Sequence, residues 1–146
     1  MALKTKQDFA VQASNIFDAM THSFNDHQKA DLLRFFLSTI TARIATTFII
    51  SHYLAEKKLS PSCVYEKLSP TYGSKSSFVN FVALGNKKGY LFLISDKEDK
   101  RRKYLYPSPS FVKVWCEFLA KTKGVEIATD VEWEKILEKA TDISSK

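Results

Sequence analysis

A run of cations in the second half of the chain carries the most concentrated chemistry in the sequence. Residues 96–103 contain three carboxylates and five cations, and the last four positions are all basic. Adjacent like charges repel, so such a run is unfavourable unless an anion opposes it. Nucleic-acid phosphates are anions of this kind, and a solvated hairpin tip is the alternative. The cations predicted to contact phosphates or a minor groove are Lys97, Lys100, Arg101, Arg102 and Lys103.

A second set of polar side chains lies on an amphipathic segment before this run. Phe78, Phe81 and Val82 recur at helical spacing, so the intervening positions of a helix over residues 74–85 face outward. An outward Asn80 can bond adenine through two hydrogen bonds, and Ser and Lys reach bases or phosphates. A plain surface helix is the alternative. The predicted DNA-contacting residues here are Ser74, Lys75, Ser76, Ser77, Asn80 and Lys87, and Val79 and Ala83 share their outer side.

The sequence holds no pattern typical of catalysis or metal binding. Cys63, Cys116 and the three histidines have none of the spacings of metal or redox sites. A Gly-rich phosphate loop and a nucleophile motif are also missing. We therefore expect no enzymatic activity, no metal and no cofactor. An oxidation-sensing role for Cys63 is left open because Lys67, one helical turn away, gives the thiol a cationic neighbour.

The positive charge is concentrated in the middle of the chain. The formal net charge is +6. Residues 60–103 contain nine Lys/Arg and four Asp/Glu, residues 1–59 contain seven and five, and residues 104–146 contain six and seven. A local basic excess is expected of a surface that binds nucleic acid.

Length and composition favour one mainly helical domain. The chain has 146 residues, and four Gly and four Pro leave little material for long loops. There is no run of 18 apolar residues and no secretory signal, so we expect no membrane association and a reducing, cytoplasmic location. The two cysteines fit that setting.

The hydrophobic periodicity predicts helices on both sides of a short hairpin. Apolar residues recur at helical steps over residues 9–24, and again from Leu32 to about Lys58 with a bend near Thr39–Thr41. The aromatic residues of the outer helices are interpreted as core, with a ligand pocket as the alternative. Asn25 belongs to the predicted break, and a capping box over residues 129–132 begins a last helix.

Serines and prolines mark the start of the central helices. Ser60-Pro61 and Ser108-Pro109 each combine a preferred N-cap with a first-turn proline, and Ser74 caps the helix between them. Gly85 weakens that middle helix, and Gly89 closes it. Tyr90–Ile94 and Tyr104–Tyr106 are predicted strands of a hairpin whose tip is residues 96–103.

Four segments in this order resemble the multiple-antibiotic-resistance regulator (MarR) family. Leu59–Leu68 is similar to the first helix of its helix-turn-helix, and Ser74–Phe78 to the start of its recognition helix. Lys87–Tyr90 resembles the lysine-rich helix end and glycine before the wing. Asp96–Lys103 resembles the wing tip, in which an acidic residue precedes paired arginines. The resemblance covers about residues 40–120.

The resemblance implies a fold class and an activity. The fold is mainly α with a small β-hairpin, a winged helix-turn-helix flanked by N- and C-terminal dimerisation helices. Residues 1–146 would form one domain, with 1–58 and 108–146 as the helical dimerisation part and 59–107 as the DNA-binding part. It implies a homodimeric transcription regulator that binds a palindromic site in double-stranded DNA. A small-molecule effector is left open.

The sequence departs from the family pattern at three places, and the first two keep a second function open. The turn Ser69–Gly73 has about three extra residues and is expected to bulge, Gly85 stands where the family usually has a core leucine, and Lys100 is an extra residue in the wing. Gly85 predicts that the recognition helix stops early. The alternative is a protein-interaction winged helix whose basic patch binds an acidic partner.

Overall fold

The computed structural model describes residues 3–23, 26–125, 127–128 and 131–137. The regular secondary structure in these ranges consists of helices and one antiparallel hairpin, and residues 133–137 are also helical. Phe24, Asn25, Thr129 and Asp130, which carried predictions above, lie outside the described residues, as do residues 138–146. The elements are α1 (Lys6–Ser23), α2 (His27–Leu37), α3 (Ile40–Leu54), α4 (Pro61–Leu68), α5 (Lys75–Lys88), β1 (Leu91–Ser95), β2 (Lys103–Pro107) and α6 (Pro109–Thr122).

The predicted serine caps fix the starts of the central helices. The hydroxyl oxygen of Ser60 accepts from the Cys63 amide at 3.2 Å, and Ser74 and Ser108 accept from the third amide of α5 and of α6. Each cap satisfies one amide that a helix start otherwise leaves without a partner. The three predicted helix starts are confirmed.

The long apolar segment after α1 divides into two helices at the predicted bend. α2 ends at Leu37, α3 begins at Ile40, and their axes differ by 103°. The side chain of Thr39 accepts from the Ala42 amide at 3.0 Å, and Arg43 Nε donates to the Leu37 carbonyl at 2.9 Å. In the described ranges no single helix is long and apolar enough to cross a membrane. Only the bent pair α2–α3 meets that criterion, by length and composition.

The hairpin is two-stranded, with Leu93 opposite Leu105 and Ser95 opposite Lys103. β1 lies one residue later than predicted, and β2 is longer than predicted by one residue at each end. Lys103 therefore belongs to β2 and the tip comprises residues 96–102, a correction to the predicted tip. The Leu105 amide donates to the Leu59 carbonyl at 2.7 Å. This bond attaches the hairpin to the segment that leads into α4. The fold class, mainly helical with a small β-hairpin, is confirmed.

Aromatic rings form the centre of the core. Phe35 of α2 stacks on Phe81 of α5 with ring centroids 4.5 Å apart, and meets Phe111 of α6 edge-on at 5.6 Å. Tyr90, between α5 and β1, tilts against Phe35 at 5.3 Å. Offset and edge-to-face arrangements are the favourable geometries for such rings. One side chain of α2 thus contacts α5, the start of the hairpin and α6.

Gly85 does not end α5, contrary to the sequence expectation. α5 continues to Lys88, and Gly89, with φ of 77°, closes it. A Cβ on Gly85 would lie 2.6 Å from Leu91 Cδ1 and 2.8 Å from Phe35 Cζ. The glycine therefore allows β1 and α2 to approach the helix closely. The cost of glycine in a helix is offset by packing that no larger residue permits.

The apolar face of α1 is exposed, which corrects its interpretation as core of the protomer. Phe9 is 58% exposed and Phe17 65%, with Ile16 and Met20 also exposed. Among the described residues of α1, Ala19 alone is buried. α1 contacts α6 through a neighbouring side of the helix, where Gln12 Nε2 donates to the Thr122 carbonyl.

We expect Gly85→Ala to lower the free energy of unfolding by about 1–2 kcal/mol, since overpacking a core costs more than the helix gains from alanine. Urea denaturation of the variant and the parent measures the difference. In a Leu91→Ala background the same change should cost less, because one of the two colliding side chains is gone. A Gly85→Ala variant as stable as the parent would contradict the close-approach explanation.

Candidate nucleic-acid interface

The start of α5 presents a cluster of hydroxyl groups to solvent. The Ser74 hydroxyl lies 2.8 Å from that of Ser77 and 3.0 Å from that of Ser76. All three residues are exposed, as is Lys75 between them. The positive end of the helix dipole and the unpaired first-turn amides favour an anion at this position. The cluster can therefore donate to phosphate oxygens or to base edges.

The packing of α5 directs its remaining polar residues outward. Phe78, Phe81 and Val82 are buried against the core, whereas Asn80 and Lys87 are exposed. The structure thus places every residue predicted on this helix on its solvent side. These residues are Ser74, Lys75, Ser76, Ser77, Asn80 and Lys87.

One carboxylate organises the hairpin tip. Asp99 Oδ1 accepts from the Arg101 amide at 3.1 Å and lies 3.3 Å from Arg101 Nε, while its other oxygen lies 3.8 Å from Arg102 Nε. The Arg102 amide donates to the Asp99 carbonyl at 3.0 Å, closing the turn. Asp99 thus pairs with both arginines and shapes the turn. Lys97 and Lys100 are exposed and pair with no described carboxylate.

Two shallow grooves join the tip of the hairpin to the start of α5. One is lined by Ser60–Ser62 and Arg101–Tyr104, and the other by Ser62, Tyr65, Glu66, Ser69 and Lys75. Ser62, the second residue of α4, lines both grooves. The cations of the hairpin and the start of α5 therefore belong to one continuous surface.

A charged cluster that the sequence analysis missed secures the other end of α5. Asp31 of α2 accepts from Lys88 Nζ at 3.2 Å and from the Tyr90 hydroxyl. These hydrogen bonds, first that of Tyr90 and then that of Lys88, hold the pKa of the Asp31 carboxyl below its usual 3.8. Burial and the neighbouring Asp31 raise the pKa of Tyr90 to about 12. The partners lie 57 and 59 residues apart, a separation that periodicity cannot bridge.

The two cysteines occupy different surroundings. Cys116 is half-buried against the core, where burial and then Glu117 raise the pKa of its thiol and favour the protonated form. Cys63 is partly buried on α4. Among the described residues no group of three or more His, Cys, Asp or Glu side chains is arranged to hold a metal ion.

Solved structures share this arrangement over nearly the whole chain, although no protein-family model and no curated protein matches the sequence. A mutant of MepR from a multidrug-resistant S. aureus clinical isolate aligns over 99% of this chain and 96% of its own, with a TM-score of 0.56 and 13% identity. A second MepR mutant from such an isolate aligns over 91% and 93%, with a TM-score of 0.52 and 16% identity. The chain has the MarR-type winged-helix fold.

The S. aureus MepR–DNA complex shows the same likeness. It covers 89% of this chain and 96% of its own, with a TM-score of 0.51 and 19% identity. In this MarR-type fold α4 and α5 form the helix-turn-helix, α5 lies in the position of the recognition helix, and β1, β2 and residues 96–102 form the wing. The resemblance carried by the four short segments of sequence is confirmed for the fold.

We expect Asp31→Asn to remove a pH-dependent part of the stability. Because folding lowers the pKa of Asp31, its stabilisation is complete above pH 3.8 and is lost as the pH falls through 3.8 towards the folded-state pKa. Solvent screens this exposed pair, so the loss at neutral pH should be at most about 1 kcal/mol. Urea unfolding between pH 7 and pH 2 measures it, with Asp18→Asn on α1 as control. A stability difference from the parent that does not shrink in acid would contradict the assignment.

Proposed function

We propose that the chain is a homodimeric transcription regulator that binds double-stranded DNA sequence-specifically. The observation that carries this proposal is the continuous surface on which Ser62 joins Lys75, at the start of the recognition helix, to the wing cations Arg101–Lys103. DNA carries about one negative charge per 1.7 Å of helix axis. An extended cationic surface therefore matches DNA better than it matches a single acidic group.

The two ends of this surface suit different parts of the duplex. A helix fits the major groove, and its N-terminal residues reach base edges, so residues 74–85 would enter that groove start first. The wing would then follow the backbone, where Lys97, Lys100 and the terminal groups of Arg101 and Arg102 meet phosphates or the minor groove. Lys103 on β2 would support the same contact.

The exposed face of α1 supports association of two copies. Phe9, Ile16, Phe17 and Met20 form an apolar strip of a kind that single protomers seldom leave in water. A second copy of the chain related by a two-fold axis would cover the strip with the same residues. Two recognition helices would then be about 34–36 Å apart and contact a palindromic site.

The known complex of MepR with DNA supports the class of ligand. MepR shares the winged-helix frame, and in that frame the recognition helix and the wing are the elements that the sequence here supplies with serines, lysines and arginines. The proposal assigns the same class of partner to this chain.

We expect Arg101→Ala/Arg102→Ala to weaken binding to every duplex, whatever its sequence. Each lost phosphate contact should reduce the slope of log affinity against log salt by about 0.9. Fluorescence anisotropy titrations from about 50 to 200 mM salt measure both effects. The control is Lys121→Ala/Lys123→Ala, which removes the same charge at the end of α6 and should leave the slope unchanged. Equal affinity of the wing variant and the parent at matched salt would rule out the wing contact.

We expect Phe17→Glu to yield a folded monomer, because Phe17 is exposed in the protomer but would be buried between two copies. A buried, unpaired carboxylate costs several kcal/mol, enough to dissociate a dimer. Sedimentation equilibrium measures the mass, and far-UV circular dichroism checks the fold. Leu84→Glu is the control, because it is a similar apolar-to-carboxylate change at an exposed residue of α5, outside the predicted dimerisation part. A dimer that survives Phe17→Glu would place the interface elsewhere.

Selection of bound sites from a random duplex pool tests the whole proposal. A palindromic sequence should be enriched, which would establish binding, specificity and two-fold symmetry together. No complex with any duplex at about 50 mM salt, where phosphate contacts are strongest, would favour the protein-interaction alternative with an acidic partner.

A further inference from the structure

The solvent side of α5 carries one exposed β-branched residue in its first half. Val79 is 39% exposed and lies about 60° round the helix axis from Ser76, and Ala83 follows one turn later on the same flank. A single exposed valine is ordinary on a protein surface. The position of Val79 on the helix, and not its exposure alone, carries the inference.

The packing of α5 prevents Val79 from turning inward. Phe78 is fully buried, Phe81 stacks on Phe35, and Gly85 lies against Leu91 without room for a methyl group. These contacts on the opposite side fix the rotation of the helix about its axis. A β-branched side chain also has few rotamers in a helix, so the two methyl groups of Val79 are held in one outward direction.

We propose that Val79 recognises the 5-methyl group of a thymine in the major groove, an inference that rests on the proposed binding of DNA by α5. The thymine methyl is the only apolar group that base pairs present in that groove, and apolar side chains are its recognised partners. The neighbouring Asn80, about 100° further round the helix, would contact a different base. Each half of the palindromic site should therefore contain a thymine that contacts Val79, at a position different from that of the base that contacts Asn80.

Replacement of thymine by deoxyuridine tests the inference, because deoxyuridine forms the same base pair without the methyl group. Duplexes of the selected site carry this replacement at one thymine of a half-site at a time, and anisotropy titrations at fixed salt give the affinities of the parent and of Val79→Ala. At one of these positions the replacement should lower the affinity of the parent about fourfold, because that is the effect of removing one methyl group from an apolar contact. Val79→Ala should bind the methylated duplex about as weakly as the parent binds the deoxyuridine duplex, with no further loss at that position.

Leu84→Ala is the matched control, because Leu84 is 44% exposed on the same helix but lies on the opposite flank, about 140° round the axis from Val79. It should keep the parent's sensitivity to deoxyuridine. A parent insensitive at every thymine, or a Val79→Ala variant as sensitive as the parent, would overturn the inference and leave the DNA-binding proposal intact. A pool in which no sequence is enriched would instead overturn the proposed function, and this inference with it.

Discussion

The ring of Phe35 sets the position of the elements that form the candidate surface. It stacks on Phe81 at 4.5 Å, tilts against Tyr90 at 5.3 Å and meets Phe111 at 5.6 Å. The same ring leaves no room for a side chain on Gly85. Because α5, the start of β1 and α6 all pack on one side chain of α2, a shift of any of them would disturb the others. The packing around Phe35 therefore fixes α5 and the start of the hairpin relative to each other.

Local signals in the sequence were enough to predict the frame of the fold. Ser60, Ser74 and Ser108 each satisfy an amide three residues ahead, and that contact depends on nothing distant. The bend at Thr39 and the closing Gly89 are equally local. The hairpin was predicted to within a residue because alternation and turn residues define it. The polar residues of α5 follow, since the buried Phe78 and Phe81 dictate which side faces out.

Features that depend on distant contacts could not be predicted in this way. Gly85 resembles a helix breaker until Phe35 and Leu91 are seen against it. The Asp31 contacts with Lys88 and Tyr90 join segments more than fifty residues apart, and no periodicity links them. The sequence correctly predicted that one face of α1 is apolar. Its periodicity shows that a face is apolar, and says nothing about whether that face is buried in its own chain or against another.

The contacts of the Asp99 carboxylate with Arg101 and Arg102 determine which guanidinium nitrogens face solvent. The carboxylate contacts Arg101 and Arg102 through Nε in both cases, and a guanidinium carries five donor hydrogens. Contact on the Nε side leaves the terminal nitrogens directed away from the carboxylate. The side chains of Arg101 and Arg102 are 92% and 72% exposed, so these terminal nitrogens are accessible from solvent. Two such nitrogens form a fork, which favours an anion that can accept two parallel hydrogen bonds.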